Sequence, residues 1–146
     1  IDNKRVTDNN KSYSYDDFNI PFSQPLQWLK DYIRDHVRSE YGFTLVDKSQ
    51  HGNIYNPKEK SFIRHQVDPV DLRNSPDYTL VYGTFVGKDS CELVIEYDDN
   101  RRKYRTWNTP IKNNYFYMFP STQRYFITEN KSKQMNVLLT INYEFI

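Results

Sequence analysis

The sequence has little glycine, a single cysteine and no alanine. With Cys91 alone, neither an intrachain disulfide nor a zinc site built from cysteines can form within the chain. The 4 glycines form no glycine-rich phosphate loop, and no Gly-x-Ser-x-Gly or His-Glu-x-x-His motif occurs. These absences exclude the nucleotide-binding, hydrolase and zinc-protease classes that depend on those motifs. We expect Cys91 to be a buried or half-buried thiol in a strand.

Length and charge restrict the architecture and the partners. The 146 residues suit a single domain with one core. Basic and acidic residues number 20 and 19, so a net charge of +1 provides no global field to attract nucleic acid or an anionic membrane. No apolar run approaches the roughly 20 residues of a membrane span, and the polar start of the chain lacks the apolar region of a signal peptide. We therefore expect no membrane contact, and nucleic acid is disfavoured as a partner.

Composition favours strands over helices. Alanine, the best helix former, is absent, while the chain holds 13 tyrosines and 9 phenylalanines. Tyr, Phe, Val, Ile and Thr suit the pleated surface of a sheet, so the fold class is predicted to be mainly β. The abundance of Asn, Lys, Ile and Tyr without alanine is also typical of AT-rich coding sequences, which are common in phages and low-GC organisms.

The first part of the chain contains a charged segment and one helix. Residues 1–12 hold little that is apolar and are predicted to form a flexible N-terminal arm ordered by a partner, followed by one domain over 13–146. An edge strand is predicted within 13–22. The helix is predicted from an N-cap at Ser23 to a stop near Gly42. Its buried face is predicted from helical spacing, with two aromatic residues widening it: Leu26, Leu29, Ile33 and Val37, with Trp28 and Tyr32.

The rest of the chain alternates short apolar runs with turn residues. Roughly eight or nine strands at near-even spacing indicate a jelly-roll-like double sheet with the helix packed on it. The runs are GFTLV, a short run near NIY, FIRHQV, YTLVYGTFV, CELVIEY, KYRTW, NYFYMF, RYFIT and NVLLTINYEFI.

The order of these runs resembles a known superfamily. SFIRHQVDP, YTLVYGTFV, CELVIEYDD, TPIKNNYFYMFPS and NKSKQMNVLLTINYEF follow one another as core strands do in the iron and 2-oxoglutarate oxygenases, especially the phage-encoded members. The resemblance covers about residues 53–145, and YFYMFPS with LLTINYEF carries it best. It implies a double-stranded β-helix, in agreement with the strand count.

The resemblance also gives positions for the iron ligands and the cosubstrate. Such an iron is held by two histidines and one carboxylate. His65 matches the first ligand, but Val67 stands where the second should be and Asp68 is displaced by one residue. Arg124 stands in place of the distal histidine, and Asn136 in place of the arginine that would pair with the cosubstrate. The resemblance therefore implies a degenerate metal site, a vestigial pocket with His65, Asp68, Arg124 and Asn136 as its members.

A guanidinium at a ligand position would oppose iron binding. It is always protonated, and a few ångströms from a divalent ion it contributes a repulsion of at least about 4 kcal/mol at an effective dielectric constant of about 20. One interpretation is that Arg124 fills the vacated position by pairing with Asp68, Glu96 or Glu92. The other, which is favoured, is that Arg124 lies on the solvent side of its strand and has no specific role.

A cationic run with aromatic residues is the second candidate surface. Arg101, Lys103, Arg105 and Trp107 share one face of a predicted strand, as they would on a surface for single-stranded nucleic acid or another partner. An exposed hairpin face, partly neutralised by the acids at 98 and 99, explains the same residues and is favoured. The four residues remain candidates for partner contacts.

The remaining histidines and acids carry weaker predictions. His36 is predicted to be a partly exposed helix residue, and His51 to lie in a turn, where it could bind a metal with His65 if a hairpin joined them. The acids at 68, 71, 77, 98 and 99 lack the spacing of an EF-hand, so we interpret them as solvated loop residues.

These observations lead to three functional hypotheses. We expect a non-enzymatic structural or assembly protein of a phage particle (neck, tail, baseplate or capsid), with other virion proteins as partners in a multi-copy assembly and without a cofactor. The alternative is a divergent oxygenase, a hydroxylase that uses Fe(II) and 2-oxoglutarate. A second alternative is a carbohydrate-binding jelly roll that uses Trp107 and the tyrosines. The expected location is the virion, or otherwise the cytoplasm.

Overall fold

The computed structural model describes residues 5–8, 11–14, 17–18, 23–61, 64, 75–98 and 104–145. These residues form one helix and eleven strands. In chain order they are β1 (Arg5–Asp8), β2 (Lys11–Ser14), β3 (Asp17–Phe18), α1 (Gln24–Tyr41), β4 (Leu45–Tyr55), β5 (Glu59–Lys60), β6 (Tyr78–Phe85), β7 (Glu92–Asp98), β8 (Tyr104–Pro110), β9 (Phe116–Pro120), β10 (Arg124–Ile127) and β11 (Asn136–Phe145).

The strands pair into three sheets. The largest has the order β3-β4-β11-β6-β9, the second β10-β7-β8 and the smallest β1-β2-β5. Every pairing in the two larger sheets is antiparallel, whereas β2 and β5 run parallel. The prediction of a mainly β fold with one helix is confirmed.

The two larger sheets face each other across an apolar core. Because side chains alternate along a strand, one face of the five-stranded sheet presents Val81, Phe119 and Leu138 to the three-stranded sheet. The three-stranded sheet contributes Leu93 and Ile95 to the same core. We call this cluster the inner core.

The opposite face of the five-stranded sheet is covered by α1. The cluster between them, the helix core, contains residues from both layers: Leu26, Ile33 and Val37 of α1, with Leu45, Leu80, Leu139, Ile141 and Tyr143 of the sheet. The five-stranded sheet is therefore buried on both faces, which explains why its central strand β11 is almost continuously buried.

The helix begins and ends as its sequence predicts. The Ser23 side chain accepts a hydrogen bond from the Leu26 N–H at 3.2 Å, and Gly42 closes the helix in the left-handed conformation with its N–H on the Arg38 carbonyl. The prediction that Trp28 and Tyr32 widen the buried face is wrong, since they are 67% and 49% exposed. Within the described residues, no helix combines the length and apolar character needed to cross a membrane.

Several strand predictions change in detail. The runs GFTLV and NIY belong to one strand, β4, because it pairs with β11 along its length. β5, within the predicted turn NPKEK, pairs with β2. Most of the run FIRHQV lies outside the described residues, and Arg64 within it forms a bridge with Tyr125.

The N-terminal predictions concern short strands. β3, within the predicted edge strand at 13–22, lies at the edge of the five-stranded sheet. The predicted arm at 1–12 includes β1 and the start of β2, which pair as an antiparallel hairpin. The division of the chain into an arm and a domain stays a prediction.

Cys91 lies immediately before β7 and is buried, 3% exposed. The Asn136 amide nitrogen donates to the Ser90 hydroxyl at 3.0 Å and lies 3.5 Å from the Cys91 sulfur. Burial raises the pKa of the Cys91 thiol to about 11, although the hydrogen bonds with Ser90 and Asn136 act in the opposite direction.

At Gly83 of β6 the segment around Lys112 approaches the backbone of the sheet closely. The Gly83 N–H donates to the Tyr115 carbonyl, and the Gly83 carbonyl accepts from the Asn114 N–H. A Cβ atom at this position would collide with the Lys112 carbonyl oxygen, which belongs to the backbone. The residue must therefore lack a side chain.

We predict that Gly83→Ala destabilises the fold by about 1–3 kcal/mol, because the backbone around Lys112 must move. The matched control is Gly87→Ala, whose added Cβ would lie 3.2 Å from the Ser132 Cβ, a side-chain atom that can shift. Urea unfolding midpoints measure both. Equal midpoints for the two variants would contradict the prediction.

The thiol gives a second prediction. The pKa of Cys91 in the folded chain, about 11, lies above the ordinary value of 9.0, so its protonated form stabilises the folded state. This contribution is complete below about pH 9 and is lost as the pH rises to about 11. The unfolding free energy of the wild type should therefore fall relative to that of Cys91→Ala by up to about 3 kcal/mol across this range. A difference that does not depend on pH would show that the thiol does not titrate with folding.

Candidate functional site

Arg124 begins β10 and lies opposite Glu96 of β7. Its Nη2 lies 3.3 Å from the Glu96 Oε2, and the two side chains are 41% and 18% exposed. The neighbouring residues Tyr125 and Ile127 belong to the inner core, so alternation places Arg124 on the outer face of its sheet. Arg124 thus pairs with one of the three acids proposed for it, on the face away from the inner core. At this exposure the pair contributes at most about 1 kcal/mol.

Asn136 begins β11 and is fully buried. Its amide oxygen accepts from the Gly87 N–H at 3.1 Å, and its amide nitrogen donates to the Ser90 hydroxyl. The side chain therefore ties the loop between β6 and β7 to the start of the central strand. Its role in this structure is to hold a loop.

These two residues do not fit an iron and 2-oxoglutarate site. Arg124 has no lone pair to give to a metal, and Glu96 holds it on the outer face. Asn136 carries no charge for a dicarboxylate, and its oxygen and nitrogen are both engaged within the protein. The resemblance places Arg124 at the distal ligand and Asn136 at the cosubstrate partner. In the structure Arg124 contacts Glu96, and Asn136 contacts Gly87 and Ser90.

The other two members of the vestigial pocket, His65 and Asp68, lie outside the described residues, as does Val67. The pocket as a whole stays a prediction. Among the residues that the structure describes, no group of three His, Cys, Asp or Glu side chains is placed to hold a metal ion.

One polar feature of the interior was missed by the sequence analysis. Thr79 alternates with Val81 of the inner core and therefore faces the space between the sheets. The Thr79 hydroxyl donates to the Asn142 amide oxygen at 3.0 Å and lies 2.8 Å from the Ser121 hydroxyl. The Asn142 amide nitrogen donates to Ser49 at 3.1 Å. Since Thr79 has one hydrogen to give, Ser121 is the donor to it, and these side chains satisfy one another.

The cationic run lies at the start of β8. Arg101 and Lys103 lie outside the described residues, and Arg105 lies opposite Tyr97 in the β7–β8 pair. Trp107 lies opposite Ile95 and is 50% exposed at the edge of the three-stranded sheet. Of the four candidate residues the structure gives the exposure of Trp107 alone, so the choice between an exposed hairpin face and a partner surface stays a prediction.

The two described histidines take structural positions. His36 is a half-buried helix residue, as predicted, with its ring stacked on Tyr32 and edge-on to Phe116. His51 lies in β4 opposite Thr140, so the prediction of a turn there is wrong. Its proposed metal partner His65 lies outside the described residues.

A groove of about 500 Å³ lies between α1 and the β9 edge. We call it the aromatic groove. Its lining is Trp28, Leu29, Tyr32, Tyr82, Asn114, Tyr115 and Phe116. A second apolar groove of about 630 Å³ shares part of this lining and continues along α1.

The walls of the aromatic groove are fixed by local contacts. Trp28 and Tyr32, one helical turn apart, stack with ring centroids 5.7 Å apart. On the sheet side the Tyr82 hydroxyl donates to the Asn114 amide oxygen at 2.9 Å. Tyr115 is 56% exposed. Rings held in place and open to solvent suit a ligand that stacks on them or buries apolar surface.

Part of the aromatic groove was predictable from the sequence. Helical spacing places Trp28 and Tyr32 as neighbours on the helix, but their exposure depends on where the sheet ends beneath α1. Tyr115 and Phe116 belong to an aromatic run, and the alternation of side chains along that run does not predict which face of the sheet is buried by another layer.

No known protein family matches the sequence, and no curated protein is similar to it. Solved structures are similar at low identity. A 2OG-Fe(II) oxygenase family oxidoreductase from Burkholderia pseudomallei is 12% identical with a TM-score of 0.62, over 96% of this chain and 65% of that one. A Pseudomonas putida prolyl-4-hydroxylase is 13% identical with a TM-score of 0.59, over 88% and 70%.

A third solved structure is similar at low identity as well. The prolyl hydroxylase from Trichoplax adhaerens, in complex with a hypoxia inducible factor peptide fragment, is 14% identical with a TM-score of 0.54, over 82% of this chain and 56% of that one. This chain therefore spans less than two thirds of the Burkholderia and Trichoplax chains. At such identities the similarity concerns architecture, and the chain has the double-stranded β-helix fold of these oxygenases.

Proposed function

We propose that this chain is a non-enzymatic assembly module of a phage particle, in its neck, tail, baseplate or capsid. The aromatic groove binds an apolar segment of another particle protein, and the module is present in several copies. The observation that carries the proposal is the set of exposed rings that line this groove beside a sheet edge.

The exposure of these rings supports a protein partner. Trp28 and Tyr115 are 67% and 56% exposed, although the chain buries two apolar cores elsewhere. Trp and Tyr are enriched among the residues that contribute most to protein–protein binding. Their rings supply large contact area with few rotatable bonds, so ordering them on binding costs little.

The neighbouring sheet edge supports an extended partner. β9 pairs with β6 on one side, and no described strand pairs with its other side. An extended segment that adds to β9 would gain main-chain hydrogen bonds. Its side chains would lie against Tyr115 and Phe116.

Two residues argue against the oxygenase alternative. Arg124 and Asn136 stand at the positions that the resemblance gives to the distal ligand and the cosubstrate partner, and both have other contacts in the protein. We therefore propose that the chain uses neither Fe(II) nor 2-oxoglutarate. The assignment to a phage, and so to the virion, is supported by the composition, which lacks alanine and is rich in Asn, Lys, Ile and Tyr.

The first prediction of this proposal concerns the aromatic groove. The double variant Trp28→Ala with Tyr115→Ala should reduce incorporation of the chain into particles at least about 30-fold in apparent affinity, since residues of this kind contribute about 2 kcal/mol or more in total. The measurement is the amount of chain that co-sediments with particles in a density gradient as its concentration is varied.

The matched control is the double variant Tyr41→Ala with Phe145→Ala, which removes two rings of similar exposure, 65% and 54%, outside the groove. It should sediment as the wild type does, and far-UV circular dichroism should show that all variants are folded. Equal losses in the groove and control variants would refute the assignment of the groove. Glycan-array binding lost on Trp107→Ala would instead support the carbohydrate alternative.

The second prediction concerns the metal. Purified chain incubated anaerobically with Fe(II) and 2-oxoglutarate should retain no stoichiometric iron, and should produce no succinate above background after oxygen is admitted. Arg124→His combined with Val67→Asp should likewise produce no succinate above background, because Asn136 still provides no cation for the cosubstrate. Stoichiometric iron with succinate formation in the wild type would establish the oxygenase alternative.

A further inference from the structure

A separate groove, of about 470 Å³, lies at the end of the fold where the loops β4–β5 and β10–β11 meet. We call it the lysine groove. Its lining is Pro57, Lys58, Glu129, Asn130, Lys131, Ser132 and Lys133. A third loop, between β6 and β7, joins this end because the Lys131 N–H donates to the Ser90 carbonyl at 2.8 Å. That loop carries Lys88.

A buried asparagine makes this loop cluster rigid. The Asn130 amide nitrogen donates to the Tyr55 and Gln134 carbonyls at 2.9 and 2.7 Å. Its amide oxygen accepts from the N–H and the hydroxyl of Ser132. Its backbone exchanges hydrogen bonds with both sides of the β4–β5 turn, through the Lys58 N–H and the Glu59 carbonyl. The lysines thus project from a fixed frame.

The groove concentrates positive charge in a chain whose net charge is +1. Lys58, Lys88, Lys131 and Lys133 are exposed, and in the described part of the chain no ion pair is found for any of them. Two exposed acids in the same loops, at positions 89 and 129, leave a surplus of positive charge. This is the arrangement expected of a surface that attracts anions.

Lys58 adds a second observation. Its φ is +69°, in the left-handed region that glycine and asparagine adopt more readily. The turn therefore accepts backbone strain while presenting a charged side chain to the groove.

The backbone of the groove determines which anion fits. The N–H groups of Lys58, Asn130, Lys131 and Ser132 all donate within the protein. They are not free to form the ring of N–H donors that holds a phosphate group. Recognition falls to the lysine ammonium groups, which act as point charges without a demanding geometry. The lining also offers no aromatic ring on which a nucleic-acid base could stack.

We propose that the lysine groove binds an acidic protein segment through a run of carboxylates. This surface is separate from the aromatic groove, since the two have no lining residue in common. Binding at the lysine groove does not depend on the function proposed above. If both hold, the chain has two binding surfaces, the aromatic groove and the lysine groove.

The test is fluorescence anisotropy with a fluorescein-labelled octaglutamate peptide. The variant Lys58→Gln, Lys131→Gln, Lys133→Gln should weaken binding about tenfold at low salt, and wild-type binding should weaken as salt is raised. The matched control removes the same charge elsewhere, with Arg34→Gln, Arg38→Gln and Lys48→Gln, and should change binding less than twofold.

Equal weakening in both triple variants would overturn the proposal, because it would show attraction by net charge alone. Displacement of the peptide by inorganic phosphate at equal ionic strength would overturn it in favour of a phosphate site. An oligothymidylate that binds more tightly than the peptide and is lost in the groove variant would overturn it in favour of nucleic acid. Thermal unfolding of each variant confirms that the loops remain folded.

Discussion

Strict alternation of side chains along β11 is the constraint on which the rest of the structure depends. β11 is the central strand of the five-stranded sheet and pairs with β4 on one side and β6 on the other. Leu138 faces the inner core, whereas Leu139 and Ile141 face the helix core. A shift of the register by one residue would exchange these sets and disrupt both cores at once. Because each core enforces the same register, the loops that leave the sheet, and the grooves between them, have fixed positions.

Buried amides extend this order from the strands into the loops. Asn130 and Asn136 are fully buried, and each satisfies carbonyl or N–H groups of loops that approach the sheet. An unsatisfied buried polar group costs about 1–3 kcal/mol, so each amide fixes its loop as strongly as an apolar contact would. A buried amide is also satisfied between the sheets, where the Thr79 hydroxyl donates a hydrogen bond to the Asn142 amide oxygen. These hydrogen bonds between buried groups stabilise the folded positions of the loops and strands.

The features that could be predicted from the sequence are those set by interactions between residues close in the chain. The limits of α1 follow from Ser23 and Gly42, whose caps involve residues within four positions, and the strand runs follow from side-chain type. The length of β4 was not predictable in this way, because pairing with β11 carries it through the turn-like residues around Gly52. The outer position of Arg124 depends on a register with Glu96, and the bond from Thr79 to Asn142 joins residues 63 positions apart. The aromatic groove depends on where the sheet ends beneath the helix.

The two proposed binding grooves, aromatic and lysine, would provide binding energy of different physical kinds. An aromatic side chain buries about 150–250 Å² when fully covered, so covering the exposed parts of Trp28 and Tyr115 removes on the order of 100 Å² each from water. At about 25 cal/mol per Å² this is worth about 5 kcal/mol for the pair, and it is insensitive to salt. The lysine groove contributes an attraction that salt screens within about 10 Å. A partner that bound both grooves would be attracted to the lysine groove, because charge mainly sets the rate of association. It would be retained by the aromatic groove, because buried aromatic area mainly sets the rate of release.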